Sequence, residues 1–231
     1  LYPGSFQWRV KGQNNGGETD YATFNLVIDS TLDISSIPVP LSLPLNNLIT
    51  NNDSVIFTWQ SIPNADAYNI EIHDGSWGTP YSTPGSISST TYTEVLPEGT
   101  YVWAVSGFNN TTLTSTAFAN PPRSLIIDTT APDTVTLIYP NHNEILGDTI
   151  PHTYSWTQAA QIGGGTPTDL VDYIYFYSDS GISIIGSAIP IPTGTYQHTD
   201  SIGYNHYWRV LTEDAANNVS ALTDLRKVII Q

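Results

Sequence analysis

The sequence contains no cysteine and no methionine. Without cysteine the chain has no disulfide, no zinc–thiolate centre and no thiol nucleophile. Because Leu1 stands where an initiator methionine would be, we expect a processed chain or an excised piece of a longer protein. No apolar run approaches the ~20 residues of a membrane-spanning helix, so we expect no membrane span.

Positive charge is also scarce. Lys and Arg number 6 against 21 Asp and Glu, which gives a formal net charge of −15. Such a surface repels phosphate backbones and anionic lipid, so we expect neither nucleic-acid binding nor docking on a membrane surface. Carboxylates in excess do attract hard cations such as Ca²⁺.

What the chain does contain favours β-structure. Hydrophobic residues make up 39% and aromatic residues 11%, enough to bury a core, while 17 Gly and 16 Pro supply turns. A length of 231 residues exceeds one small sandwich and suits two domains of ~100 residues with a remainder.

An internal repeat organises the chain. The segments Gly4–Val10, Gly99–Val105 and Tyr204–Val210 align on a tryptophan, with spacings of 95 and 105 residues. Each is followed by a turn rich in Asn or Gly and then by an apolar strand. Another motif, aromatic-x-Trp, occurs only twice, at Phe57–Trp59 and Tyr154–Trp156. The segments therefore mark one incomplete repeat and two complete ones.

We set the boundaries at 1–33 for a partial module, 34–129 for the first complete module and 130–231 for the second. Each complete repeat alternates apolar and polar residues with period two and carries a turn signal every 8 to 15 residues. This pattern predicts an all-β chain of tandem two-sheet sandwiches with ~7 strands each. Four tryptophans are predicted to form structural cores, in the pairs Trp59 with Trp103 and Trp156 with Trp208.

The residues of the first complete repeat resemble a known family. The run Leu96–Trp103 resembles the start of strand F in fibronectin type III modules, where a Tyr lies near the sheet corner. The aromatic-x-Trp motif and the run Tyr68–Ile72 fit strands B and C of the same module. The resemblance implies fibronectin type III-like or immunoglobulin-like β-sandwiches.

Two other motifs resemble bacterial proteins. The run Asp128–Pro132 resembles the linker between tandem modules of large bacterial surface proteins, and Glu213–Ser220 resembles a hairpin of those repeats, with Ala216 where Gly is usual. The strand Tyr207–Val210 is similar to repeats in surface and secreted proteins of the Bacteroidota. The resemblance implies an extracellular or cell-surface bacterial location, with neighbouring modules of the same chain as partners.

Catalytic patterns are sparse, and we expect no enzyme. The five His residues lack metal-ligand spacing, and no Gly-x-Ser-x-Gly elbow, phosphate loop or His-Glu-x-x-His motif occurs. The run Gly163–Gly165 lacks the Lys of a phosphate loop. Asp169 and Asp172 pair only in sequence, since nothing places them at one cleft. We expect no cofactor, with calcium as the one candidate ion.

Two binding hypotheses remain. Calcium between the modules would use the linker acids Asp128 and Asp133 and the hairpin acids Glu213 and Asp214; the alternative is that these acids are simply solvated. A glycan would use Trp77 with Tyr81, because an exposed indole in a Gly/Pro loop can stack on a sugar ring. The alternative is that Trp77 caps the edge of the sandwich.

Function follows as two hypotheses. The first is a structural stalk, filament or adhesin segment of a long extracellular bacterial repeat protein; the second is a carbohydrate-binding or spacer module attached to a secreted enzyme. Residues 1–30 match only strands F and G of a module, and a lone hairpin is marginal in water. Either upstream strands of a longer chain complete it, which we favour, or another chain supplies them by strand addition.

Overall fold

The computed structural model describes residues 4–28, 32–147, 151–160, 170–178, 183–192, 194–198 and 205–231. These residues form strands, turns and loops without a helix, which confirms the predicted all-β class. It follows that this part of the chain also holds no helix long and apolar enough to cross a membrane. The repeat segment beginning at Tyr204 is described from residue 205 onward.

The first element is a separate two-stranded hairpin. Its two long strands are β1 (Gly4–Val10) and β4 (Ala22–Ile28), and the connection between them contains a second short pair, β2 (Gln13–Asn14) and β3 (Gly17–Glu18). Strands β1 and β4 pair antiparallel with Trp8 opposite Phe24, and the two rings stack with centroids 4.7 Å apart. The Trp8 side chain is 53% exposed, because no second sheet covers this face within the described residues.

The first sandwich follows. Its strands are β5 (Leu41–Leu43), β6 (Leu48–Thr50), β7 (Ser54–Trp59), β8 (Ala67–Asp74), β9 (Pro80–Ser82), β10 (Thr91–Val95), β11 (Gly99–Asn109), β12 (Thr114–Ser115) and β13 (Arg123–Ile127). One sheet has the order β10-β7-β5 and the other the order β6-β13-β11-β8-β9, with β12 paired to β11. The pair β6 and β13 is parallel and the other pairs are antiparallel.

The alternation of apolar and polar residues builds this core. On β7 the side chains of Val55, Phe57 and Trp59 are buried while Ile56 points to solvent, as a period of two requires. The facing strand contributes Trp103, which is fully buried. Trp59 and Trp103 lie in one apolar cluster.

Their nearest ring partners in the described structure are other aromatics. Trp103 packs edge-on against Phe57, with ring centroids 5.0 Å apart, and Trp59 against Tyr68, with centroids 5.7 Å apart.

The second sandwich repeats the plan. Its strands are β14 (Leu137–Tyr139), β15 (Glu144–Leu146), β16 (His152–Trp156), β17 (Val171–Tyr177), β18 (Ile189–Ile191), β19 (Thr195–His198), β20 (His206–Glu213) and β21 (Arg226–Ile230). The sheets have the orders β14-β16-β19 and β15-β21-β20-β17-β18. Trp156 and Trp208 lie in its buried core with ring centroids 6.4 Å apart.

A repeated arginine ties the two sheets of each sandwich together. Arg123 on β13 donates to three backbone carbonyls of the β5 segment, at distances of 2.6–2.8 Å. Arg226 on β21 donates to the three matching carbonyls of the β14 segment, at 2.6–3.0 Å. Each guanidinium therefore fixes the first strand of one sheet against the last strand of the other.

Candidate functional site

Trp77 lies in the loop that follows β8 in the first sandwich. The chain turns at Gly75, whose φ of 68° falls in the left-handed region that suits glycine, and then folds back over the outer face of the sheet. There the indole packs on His73 with ring centroids 4.0 Å apart. Trp77 keeps 42% of its side chain exposed.

The imidazole beneath Trp77 is held in one orientation. His73 is fully buried, and its Nδ1 accepts a hydrogen bond from the Gly78 N–H at 3.1 Å. Its Nε2 lies 3.1 Å from a carboxylate oxygen of Glu71. Because Nδ1 is an acceptor, Nε2 carries the proton and donates to Glu71. The indole therefore rests on a fixed support.

A segment distant in sequence completes an aromatic groove at this point. Phe118, in the loop between β12 and β13, packs edge-on against Trp77 with ring centroids 5.5 Å apart. The two rings, together with Ala119, Asn120 and Pro122, line a hollow of about 370 Å³. None of these lining side chains carries a charge, so the groove suits a neutral ligand.

Tyr81 takes a different place. Its ring packs edge-on against Tyr101, with centroids 5.6 Å apart, and it is not among the residues that line the hollow of Trp77. We therefore leave Tyr81 out of the candidate site and add Phe118 and Asn120. These two residues lie more than 40 positions after Trp77 in the sequence, so the local motif around Trp77 does not indicate them.

Of the four acids proposed for calcium, the structure brings two together where the sandwiches meet. Asp128 and Asp214 are both buried. Asn218 bridges them, because its Nδ2 donates to the Asp128 carbonyl at 2.8 Å and to the Asp214 carboxylate at 3.0 Å. Burial raises the pKa of the Asp128 carboxyl, the Thr130 N–H lowers it, and the charges of Asp214 and Glu98 raise it further.

The other two acids lie apart from this pair. Asp133 is exposed and its backbone N–H donates to Ala160, while the Glu213 carboxylate hydrogen-bonds Tyr173. In the described ranges no group of three or more His, Cys, Asp or Glu is placed to hold a metal ion. Calcium binding stays a prediction, and melting temperatures in excess CaCl₂ and in EDTA would test it.

Two of the residues considered for catalysis, His206 and Asp172, lie in the packed core of the second sandwich. His206 is fully buried and its Nε2 lies 2.6 Å from the hydroxyl oxygen of Tyr154. Asp172 is buried and accepts from Trp156 Nε1 and from the Thr212 hydroxyl, each at 2.6 Å. Hydrogen-bonded polar groups of this kind stabilise the interior of the sandwich. Asp169 and the run 163–165 lie outside the described residues.

Comparison with known proteins gives structural relatives. No protein-family model and no curated protein matches the sequence. The fibronectin(III)-like modules of Clostridium thermocellum CbhA superpose with a TM-score of 0.50 and 15% identity, covering 84% of this chain and 94% of that chain. The FN1–FN3 domains of chicken CNTN1 give a TM-score of 0.46 and 10% identity, over 97% and 75%. Domains from titin give 0.48 and 15%, over 99% and 75%.

At such identities the likeness establishes the fold alone. The chain consists of tandem fibronectin type III-like β-sandwiches, which confirms the predicted fold class.

Proposed function

We propose that this chain is a non-catalytic structural segment of a long extracellular bacterial repeat protein, acting as a stalk, filament or adhesin. The observation that supports the proposal most strongly is the junction between the sandwiches. The linker residue Asp128 is fully buried, and its carbonyl accepts from Asn218 of the second sandwich. A second contact joins Asn51 Nδ2 to the Asn217 carbonyl at 3.4 Å. The backbone carries tension from one module to the next, and these hydrogen bonds limit bending at the junction.

Force spectroscopy tests this proposal. We expect two unfolding events per chain, each releasing about 300 Å, because a module of ~95 residues extends to roughly 3.4 Å per residue. The Asn218→Ala variant should lower the stiffness of the junction without changing either event, and Asn205→Ala in the same sandwich is the matched control. A single unfolding event, or unfolding forces too small to resolve from thermal fluctuations of the instrument, would refute a mechanical role.

We further propose that residues 1–33 are the F and G strands of a third module. Trp8 aligns with Trp103 and Trp208, which are fully buried, and the Trp8 face bears six more apolar side chains on β1 and β4. One position departs from the repeat, since Phe24 stands where Arg123 and Arg226 stand in the complete sandwiches. We favour the view that upstream strands of a longer chain pack on this face. The alternative is that another chain supplies them by strand addition.

Analytical ultracentrifugation of the full chain and of a shorter chain distinguishes these two possibilities. A chain that begins at Asp33, and so keeps the buried Ile34 of the first sandwich, should be monomeric and at least as soluble as the full 231 residues. If strand addition operates instead, the full chain will form an assembly that the shorter chain loses.

A second candidate function is carbohydrate binding, in a module attached to a secreted enzyme. It is favoured by the half-exposed indole of Trp77, which is fixed on His73 beside Phe118. A rigid exposed ring binds at low cost in conformational entropy. A glycan pull-down with Trp77→Ala as the comparison tests it, and equal retention of the two proteins would contradict it.

A further inference from the structure

We propose that the outer face of the β9-β8-β11 region binds a neutral oligosaccharide in an extended groove that crosses Phe118. The inference rests on the second candidate function, because it uses the Trp77 platform as one end of the groove. It adds a second subsite, the class of ligand and a dependence on the length of the sugar chain.

The second subsite is a hollow on the other side of Phe118. It has a volume of about 390 Å³ and shares Phe118 with the hollow that Trp77 lines. Its walls come from β8, β11 and β12 and from the loop after β9. Each hollow alone falls within the roughly 300–1,000 Å³ of small-molecule sites. A ligand that fills both hollows therefore contacts Phe118 in each of them.

The two hollows differ in the residue types that line them, and both sets of residues suit a sugar chain. The first is aromatic and apolar, and a pyranose ring presents C–H groups that pack on such rings. The second also exposes more apolar than polar surface, but its lining includes the hydroxyl and amide side chains of Asn69, Thr83, Ser106 and Ser115. Hydroxyl and amide groups both donate and accept hydrogen bonds, as sugar hydroxyls require.

Charge disfavours acidic sugars as ligands. The one charged side chain among the residues that line the two hollows is Glu71, which accepts from His73. The chain as a whole carries a formal charge of −15. An oligosaccharide of uronic acids would be repelled by both, and no cation in the groove walls would offset this.

The geometry also favours a preformed site. His73 is fully buried, and its bonds to Glu71 and Gly78 fix the ring on which Trp77 packs. Phe118 is half-buried between the two hollows. Because Trp77 already packs on a fixed support, the ligand has less side-chain motion to immobilise on binding.

Isothermal titration with purified sugars tests the groove. The probes are the disaccharides and hexasaccharides of β-1,4-glucose, β-1,4-xylose, β-1,4-mannose and β-1,3-glucose, with hexagalacturonate as the charged probe and decaproline as a peptide probe. We expect one or more neutral hexasaccharides to bind at least about tenfold more tightly than the matching disaccharide, since the second subsite adds contacts. Hexagalacturonate should not bind.

Variants assign the two subsites. Trp77→Ala should abolish binding of both lengths, whereas Trp77→Phe should retain part of it and shows that the fold is intact. Phe118→Ala should reduce hexasaccharide affinity to that of the disaccharide. Leu222→Ala, at the position of the second sandwich that matches Phe118, is the control and should have no effect.

The outcomes separate the two claims. Disaccharides that bind through Trp77 as tightly as hexasaccharides would overturn the extended groove and leave carbohydrate binding standing. Failure of every neutral sugar to bind at about 10 mM would overturn both. Decaproline that binds more tightly than every sugar, and is lost in Trp77→Ala, would overturn the sugar ligand in favour of a peptide.

Discussion

The two complete sandwiches share one frame but differ in the polarity of their cores. Phe57 in the first is matched by Tyr154 in the second, whose hydroxyl bonds His206 at 2.6 Å. Tyr101, which aligns with His206, instead donates from its hydroxyl to the Pro97 carbonyl at 2.9 Å. The same position thus bonds the backbone in one sandwich and a side chain in the other.

The matched indoles show a second difference. Trp156 Nε1 donates to Asp172, while the nitrogen of the matching Trp59 has no hydrogen-bond partner among the described residues. In the strand register Asp172 takes the place of Tyr68, whose hydroxyl accepts from the Ile62 N–H at 3.0 Å. The same strand arrangement therefore accommodates two kinds of core. The first sandwich has an indole nitrogen without a hydrogen bond, and the second has a buried carboxylate.

The largest effect should come from the tryptophans that both cores share. Trp103→Ala should cost about 3–5 kcal/mol and melt only the first sandwich, because it removes a fully buried indole. Trp208→Ala should do the same to the second. Hydrogen exchange measured strand by strand distinguishes the modules. Loss of protection in both sandwiches from either variant would contradict separate cores.

The buried carboxylate should come next. Asp172→Ala leaves the Trp156 N–H and the Thr212 hydroxyl without their acceptor, at a cost of about 2–4 kcal/mol. Asp172→Asn keeps one acceptor oxygen and should cost less. Urea denaturation of the second sandwich measures both. If Asp172→Ala is as stable as the parent protein, the hydrogen bonds of Asp172 do not stabilise this core.

Smaller effects should follow from the tyrosine hydroxyls. Tyr154→Phe makes the second core more like the first and should cost about 1 kcal/mol, as should Tyr101→Phe, because each removes one buried hydrogen bond. A gain in stability from Tyr154→Phe would mean that the Tyr154–His206 pair serves something other than folding. Thermal melts of the two variants in parallel give the comparison.

Alkaline pH should affect the first sandwich through Tyr101. Burial, with smaller contributions from Tyr81 and Asp74, raises the pKa of Tyr101 to about 12. The folded state therefore holds this proton more tightly than the unfolded state, where the pKa is about 10. The free energy of unfolding should fall as pH rises from about 10 to about 12. In Tyr101→Phe this decline should be shallower, and identical slopes would refute the assignment.

The smallest change in stability should come from Asp128, at the junction between the sandwiches. The pKa of Asp128 is raised above 3.8, mainly by burial, so the folded state binds this proton more tightly than the unfolded state. The stability that Asp128 contributes should therefore decline as pH rises from about 4 through the raised pKa. Asp128→Asn should flatten this part of the profile in a melting series, whereas the exposed control Asp133→Asn should not.

The sequence alone predicts the sandwiches because their signals are local. Alternation along β7 and the aligned tryptophans Trp8, Trp103 and Trp208 can be read from consecutive letters. Period-two burial follows directly from the geometry of a strand, so each letter reports which face it occupies. The turn residues between strands add signals of the same short range.

Contacts between distant segments could not be read in this way. Arg123 bonds carbonyls about 80 positions earlier, and Phe118 meets Trp77 across 41 positions. The sequence presents Arg123 as an ordinary surface cation and Phe118 as one aromatic residue in a polar loop. Their partners depend on how the strands pair across the sheets, which no local pattern specifies.

The sequence by itself determined the all-β class and the alignment of the repeats, because hydrophobic burial imposes a period that composition and spacing record. The tertiary structure decided which polar groups meet. At the junction between the sandwiches Asn218 bonds the Asp128 carbonyl. Trp77 packs on His73, and Tyr81 packs against Tyr101. Hydrogen bonds and ring contacts require their partners within a few ångströms, and only the folded chain brings distant residues that close.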